Sequence, residues 1–283
     1  MMNVVITGAS SGLGAALARL YGSRHAHVVL IARRHSHLEH VAEQVRQAGG
    51  EPLVIVADVS HEEECQRIID IVLDRLPHVD VLINNAGRGH FASLENTDPA
   101  TWRSMMALNV DAAFFLTRGF LPGMKKRDKG HIVNVASVAG TMGFPYNAGY
   151  VAAKHALVGL TAATRAELIA TNVFATVVNP AGVMTEWGDV TEGASINALY
   201  AAAIPRSRTL ANELGVGLAP LFKMMSADTA AQIIANAVDS GRNNDVFTHD
   251  GTRDLALEAI RDRVGLEDRH LALWLAMREY YEK

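Results

Sequence analysis

Six short runs of β-branched and aliphatic residues, separated by longer helical patterns, constrain this chain more than anything else in it. Asn3 to Thr7, His27 to Ala32, Leu53 to Ala57, Val79 to Asn84, His131 to Ala136 and Val173 to Asn179 read as strands. Several do not alternate apolar with polar residues, since Val28-Val29-Leu30-Ile31 and Leu53-Val54-Ile55-Val56 are apolar throughout. Such runs belong to strands covered on both faces, the condition of a parallel sheet sandwiched between helices. Strand and helix in regular turn predict an α/β fold, a doubly wound parallel sheet of about seven strands. The seventh is the short run Asp245 to Thr248, after a helix over Ala227 to Ser240 with Ser226 as N-cap and Asp228 near the positive end of the dipole. No linker rich in Pro, Gly or Ser divides the 283 residues, so one domain over 1–283 is expected.

The alternation lapses over 183–226, where Trp187, Tyr200, Pro205, Arg206 and Arg208 mix with several glycines. Irregular stretches of that length inside a compact domain are usually lids or binding elements, so this one is expected to cover a substrate. The tail over 252–283 reads as one or two helices whose apolar face carries Leu271, Leu273, Trp274, Leu275 and Met277. It can pack on the sheet body, cover a pocket or contact another subunit.

Composition narrows the function classes. Hydrophobic residues make up 49%, charged residues 20%, and the formal net charge is −4, which fits neither a disordered chain nor a binder of nucleic acid. Cys65 is the single cysteine, so no internal disulfide and no thiolate metal site are expected. No apolar run reaches the ~18 residues of a membrane span, and Met1-Met2-Asn3 leads straight into a strand with no leader pattern; a cytoplasmic setting is expected. His25, His27, His35, His37 and His40 crowd the second strand and its flanks, but strand alternation and the following helix scatter them, so they read as a surface cluster with no metal.

The first strand runs into Thr7-Gly8-Ala9-Ser10-Ser11-Gly12-Leu13-Gly14 and then a helical pattern. Glycines at a strand-to-helix junction let the backbone approach a pyrophosphate, which the helix N-terminus attracts through free N–H groups and its dipole. This makes the fold Rossmann-type. About 20 residues further on, where an acidic residue would take the ribose 2′-hydroxyl of NAD, the second strand ends in Arg33 and Arg34. An arginine fork suits a 2′-phosphate, so NADP is expected over NAD, with Arg33 as the phosphate ligand and Arg34 as a solvated residue at a helix start. Asp58 and Val59, closing the third strand, stand where an adenine would be touched.

Tyr150 and Lys154 lie four apart, on one face of a helix, where an ammonium favours the phenolate and lowers the phenol pKa. Ser137 closes the fifth strand thirteen residues earlier, Asn84-Asn85-Ala86-Gly87 close the fourth, and Asn179-Pro180-Ala181-Gly182 close the sixth. In order and spacing these motifs resemble the short-chain dehydrogenase/reductase family, with the resemblance covering roughly residues 3–185. It implies that Tyr150 is the general acid/base, that Lys154 lowers its pKa and bonds the nicotinamide ribose, and that Ser137 holds the substrate oxygen. It implies further that Asn109 supports a water-linked proton relay to Lys154. Asn85, Ala86 and Gly87 would wall the cofactor, with Asn84 tying the central strands. Pro180, Gly182, Val183 and Thr185 would line the nicotinamide, although the family's Pro-Gly is here Pro180-Ala181-Gly182. The implied activity is hydride transfer between NADP(H) and a carbonyl or secondary alcohol, in a homodimer or homotetramer joined through Thr101 to Lys126 and Tyr150 to Ala170. Phe144, Trp187 and Tyr200 are candidate apolar contacts for the substrate. The alternatives are a non-catalytic NADP-binding regulator or scaffold, and a dehydratase or epimerase on the same fold.

Overall fold

In the computed structural model the described residues are 1–193 and 195–282; Ala194 and Lys283, within the expected lid and tail, lie outside them. The chain begins with β1 (Asn3–Thr7), α1 (Gly12–Ser23), β2 (His27–Ala32), α2 (His35–Gln47), β3 (Glu51–Val56), α3 (Glu62–Arg75) and β4 (Val81–Asn84). Beyond a short strand β5 (His90–Phe91) come α4 (Pro99–Met106), α5 (Ala112–Arg127), β6 (Gly130–Val135), α6 (Ala148–Glu167) and β7 (Val173–Asn179). The remainder holds β8 (Val183–Met184), α7 (Trp187–Val190), β9 (Glu192–Gly193), α8 (Ile196–Leu214), β10 (Met225–Ser226), α9 (Ala227–Asp239) and β11 (Asn244–Phe247). Three helices close the sequence: α10 (Thr252–Arg261), α11 (Arg263–Arg269) and α12 (Leu271–Tyr281).

Seven strands form one parallel sheet in the order β11-β7-β6-β4-β1-β2-β3. The apolar strands serve two cores. Val4, Ile6, Val28 and Leu30 face α1, α2 and α9, whereas Val5, Val29 and Ile31 face α3 and α5 on the other side. Strand ends differ from the expected ones by one or two residues, as at β3 and β11, because the apolar signal fades where a strand frays into its turn. Chain direction through the sheet reverses between β1 and β4, so their carboxyl ends open a crevice at the switch point.

The expected irregular lid contains a 19-residue helix, α8. Its buried residues Leu199, Ala203, Ser207, Leu210 and Ala211 follow helical spacing, a signal masked by Pro205. Proline removes one backbone donor, but Pro205 and Ala201 one turn before it are both exposed, so water can serve the freed carbonyl. The tail forms three helices, with α12 packed along α8 through Leu273, Ala276 and Met277. Arg206 of α8 clamps Glu279 of α12 with two hydrogen bonds of 2.7 and 2.9 Å. Tyr281 stacks on Tyr146 with ring centroids 4.2 Å apart, and its hydroxyl accepts from the Ser93 N–H at 3.0 Å.

Candidate active site

The turn after β1 passes through Gly8 at φ +65° and Gly12 at φ +54°, conformations that side chains resist. Gly14, expected as a cofactor contact, lies inside α1 against the Gly8 carbonyl, with no room for a Cβ and no face on the crevice. Ser11 at the helix N-cap makes no capping hydrogen bond, which leaves first-turn N–H groups for an anion. The loop after β4 is stitched to this turn: Thr7 Oγ1 accepts from the N–H groups of Asn85 and Ala86 at 3.0 Å each, and Asn85 Nδ2 donates to the Thr7 carbonyl at 3.0 Å. Behind it, Asn84 Nδ2 donates to Asn134 Oδ1 at 2.8 Å and so ties β4 to β6.

The two arginines have different surroundings, and both line the crevice. Arg33 is two-thirds exposed and lies 3.6 Å from Asp58 Oδ2. Arg34 reaches back over the glycine turn, donating to Ser11 Oγ at 2.8 Å and Ser10 Oγ at 3.3 Å, and pairs with Glu186 at 3.4 Å. Glu186 lies 152 residues further along, beyond the range of any local sequence pattern. Burial works against the Asp58 charge, but hydrogen bonds from Ser60 and the nearby Arg33 outweigh it and hold the carboxyl below the usual range.

On the other side of the switch point, α6 carries Tyr150 and Lys154 into the crevice, both buried. Burial pushes the Tyr150 phenol up to about 12, and a hydrogen bond with Ser137 only partly offsets it. The expected lowering by Lys154 is therefore not present in this structure. Lys154 Nζ donates to the Val135 carbonyl at 2.9 Å and lies 5.5 Å from the Tyr150 ring centroid, while burial brings its own ammonium down to about 8. Desolvation disfavours the charged form of each. Ser137 Oγ accepts from the Ala139 N–H at 3.1 Å as it caps a short turn, leaving its proton available.

Asn109 does not line the crevice; it stands one layer behind, in a π-helical turn over Ala107–Asp111. Its Nδ2 donates to the carbonyls of Met105 and Arg88, while Oδ1 is buried without a partner and faces the Gly87 Cα, as does Lys154 Nζ. A wide turn of this kind re-aims a side chain and is common at functional sites. The Pro180-Ala181-Gly182 turn is fastened by His249, whose ring lies 3.4 Å from the Ala181 N and 3.0 Å from the Gly182 carbonyl. Thr185 packs on Gly12, and its Oγ1 accepts from the Trp187 N–H at 3.2 Å. Trp187 covers Tyr150, with ring centroids 5.3 Å apart.

One cavity of about 970 Å³ takes in every expected contact except Gly14 and Asn109, from Gly8 and Arg33 to Phe144, Trp187 and Tyr200. It also takes in residues beyond the expected contacts. Asn147, with a buried and unpartnered Oδ1, lines it near Tyr150, and His270, Leu273 and Trp274 bring the tail into its wall. The histidines of the N-terminal cluster have separate surroundings: His25 bonds the Gly49 carbonyl, His27 lies between Asn3 and Glu51, and His37 and His40 line a side cavity.

The sequence profile described as short chain dehydrogenase matches residues 2–203. This chain belongs to the short-chain dehydrogenase family. It is thereby an oxidoreductase of the short-chain dehydrogenase type. A ketoacyl reductase of Nostoc sp., HetN, is 37% identical over 209 residues, 74% of this chain and 72% of that protein. A short chain dehydrogenase/reductase from Burkholderia phymatum in complex with NAD superposes with a TM-score of 0.78 at 28% identity, over 93% of this chain and 94% of that one. An alcohol dehydrogenase from the archaeon Thermococcus sibiricus, complexed with 5-hydroxy-NADP, gives 0.73 at 25% identity, over 89% and 97%. The residues of this short-chain dehydrogenase fit such a cofactor: Gly8 and Gly12, bare of side chains, line the crevice at an uncapped helix N-terminus. No described helix is long and apolar enough to cross a membrane.

Proposed function

We propose that this short-chain dehydrogenase moves hydride between NADP(H) and the carbonyl or secondary alcohol of an apolar small molecule. The observation that carries the reading is one cavity whose near end is an arginine-bearing glycine turn, whose middle holds Tyr150 and Ser137, and whose far end is aromatic and aliphatic. The nicotinamide, when bound, supplies or accepts the hydride. In reduction Tyr150 gives its phenolic proton to the substrate oxygen, and in oxidation it takes that proton back. Ser137 turns its hydroxyl proton to the same oxygen, a donor placed where negative charge develops. Lys154 holds the nicotinamide ribose and, as an ammonium, stabilises the phenolate left after transfer. Asn109 Oδ1 accepts from a water that hands protons on toward Lys154. Asp58 and Val59 border the adenine, Asn85, Ala86 and Gly87 wall the cofactor, and Pro180, Gly182, Val183 and Thr185 border the nicotinamide. Phe144, Trp187 and Tyr200 contact the substrate.

Arg34 is the better 2′-phosphate ligand of the pair, because Ser10 and Ser11 already hold its fork over the turn. The whole chain acts as one nucleotide-binding domain, with 183–226 as lid and 252–283 as an extension that completes the substrate wall. Cytoplasmic residence accords with Cys65, a buried free thiol pushed up to about 12 by burial. A homodimer or homotetramer is supported by the outward Trp102 and Phe114 on α4 and α5. The test is turnover of apolar ketones with NADPH and NADH by wild type and Tyr150→Phe. The variant should lose about a thousandfold or more in kcat yet bind NADPH as before; a variant of near-normal rate, or a wild type indifferent to the 2′-phosphate, would overturn the reading.

A further inference from the structure

The wall that the tail gives the cavity contains one polar side chain, His270, among Leu255, Leu273 and Trp274. His270 joins α11 to α12, is 4% exposed, and lines the same cavity as Tyr150. The route between them is aromatic: Phe144 packs against Tyr150, Trp274 meets Phe144 edge to face at 5.9 Å, and His270 meets Trp274 at 5.4 Å. Burial disfavours the charged imidazole, and the charges of Glu258 and Arg269, which push in opposite directions, are paired with each other at 2.5 Å.

Nδ1 of His270 is buried with no hydrogen-bond partner. A buried N–H left empty is rarer than an empty acceptor lone pair. Assigning the proton to Nε2 leaves no buried N–H unpaired, and Nε2–H is then the donor the ring can offer.

We propose that His270 is a specificity-determining residue that donates a hydrogen bond from Nε2–H to a second oxygen at the distal end of the substrate, opposite the carbonyl that Tyr150 serves. The substrate class is then an elongated apolar ketone or secondary alcohol with a hydroxyl or carbonyl oxygen at its other end, long enough to pass the edges of Phe144 and Trp274. A purely hydrocarbon tail would leave the imidazole donor unpaired, and a substrate too short would leave it unreached. This rests on the oxidoreductase reading of the same cavity.

The experiment uses linear methyl ketones of graded length, each with and without a hydroxyl on the terminal carbon, and NADPH as reductant. In wild type the hydroxyl should raise kcat/KM by about 10- to 100-fold at the chain length that reaches His270, and little at other lengths. In His270→Phe that ratio should fall to near one. His270→Gln, whose amide nitrogen takes the place of Nε2, should restore much of it, and His270→Asn, which mimics Nδ1, should not. A ratio that is the same in wild type and His270→Phe, or a hydroxyl that confers no advantage at any length, overturns the proposal, as does rescue by Asn in place of Gln. Should no ketone be turned over, calorimetric binding of the same pairs to the NADPH-loaded protein reads the ratio as affinity. Loss of the oxidoreductase reading is then separated from loss of the role of His270.

Discussion

The two sides of the crevice are built in opposite ways. On the sheet side, polar atoms are locked to one another across strand ends: Thr7 to Asn85 and Ala86, Asn84 to Asn134, Lys154 to the Val135 carbonyl. On the cover side, α8 and α12 meet through aliphatic contacts and one surface ion pair, Arg206 with Glu279, and the cavity lining is chiefly aromatic and aliphatic, with Asn147, Asn197 and His270 among its polar members. Hydrogen-bonded groups at the ends of parallel strands are fixed within tenths of an ångström by the sheet, which suits proton transfer. Apolar packing on helices outside the sheet tolerates change in shape, which suits the reading of one substrate among many.

That contrast can be broken at either side. The largest effect is expected at Lys154, where position is held at the expense of stability. The unfolded amine keeps its proton to 10.5, while the folded one sheds it from about 8. Burying the ammonium thus costs most below pH 8, and the cost disappears as pH rises through that window. Lys154→Met should stabilise the protein by about 2 to 3 kcal/mol at pH 7, while abolishing turnover, and the gap should close toward pH 10.5 in urea unfolding at a series of pH values. A gap independent of pH, or a less stable variant, would show that the sheet side stores no such cost. Next comes Arg34→Ala, expected to weaken NADP binding about 10- to 100-fold with little change for NAD, and to exceed Arg33→Ala in the same titration. Equal losses from both arginines would remove the distinction drawn from Ser10 and Ser11. Smallest is Trp274→Ala on the cover: KM for apolar ketones should rise about tenfold while kcat moves little and cofactor affinity is kept. A fall in kcat of the size expected for Tyr150→Phe would mean that the cover helps chemistry as well as selection.

The same contrast governs how much could be read from sequence. β1, β2 and the glycine turn were legible because both faces of each strand are buried and the turn follows directly, so composition and position agree. Tyr150, Lys154 and Ser137 were legible for the same reason, being attached to strand ends and to one helix face. Arg34 over the glycine turn is held by Ser10 and Ser11 and also pairs with Glu186, a partner from far along the chain of which local pattern contains nothing. The direction of the Tyr150 shift was misread because two opposite effects act on it, and only burial in three dimensions says which is larger. α8 was read as irregular because Pro205 outweighed the buried spacing from Leu199 to Ala211. The π turn that re-aims Asn109 leaves no mark in residue type at all.

The Tyr281 contact with the Ser93 N–H and the Tyr146 ring has a consequence in time as well as in space. A ribosome delivers the sheet and its glycine turn long before residue 281 emerges, and domains form as their residues become available. A nascent chain can therefore possess the glycine-turn end of the crevice while the wall that α12 supplies is still being translated.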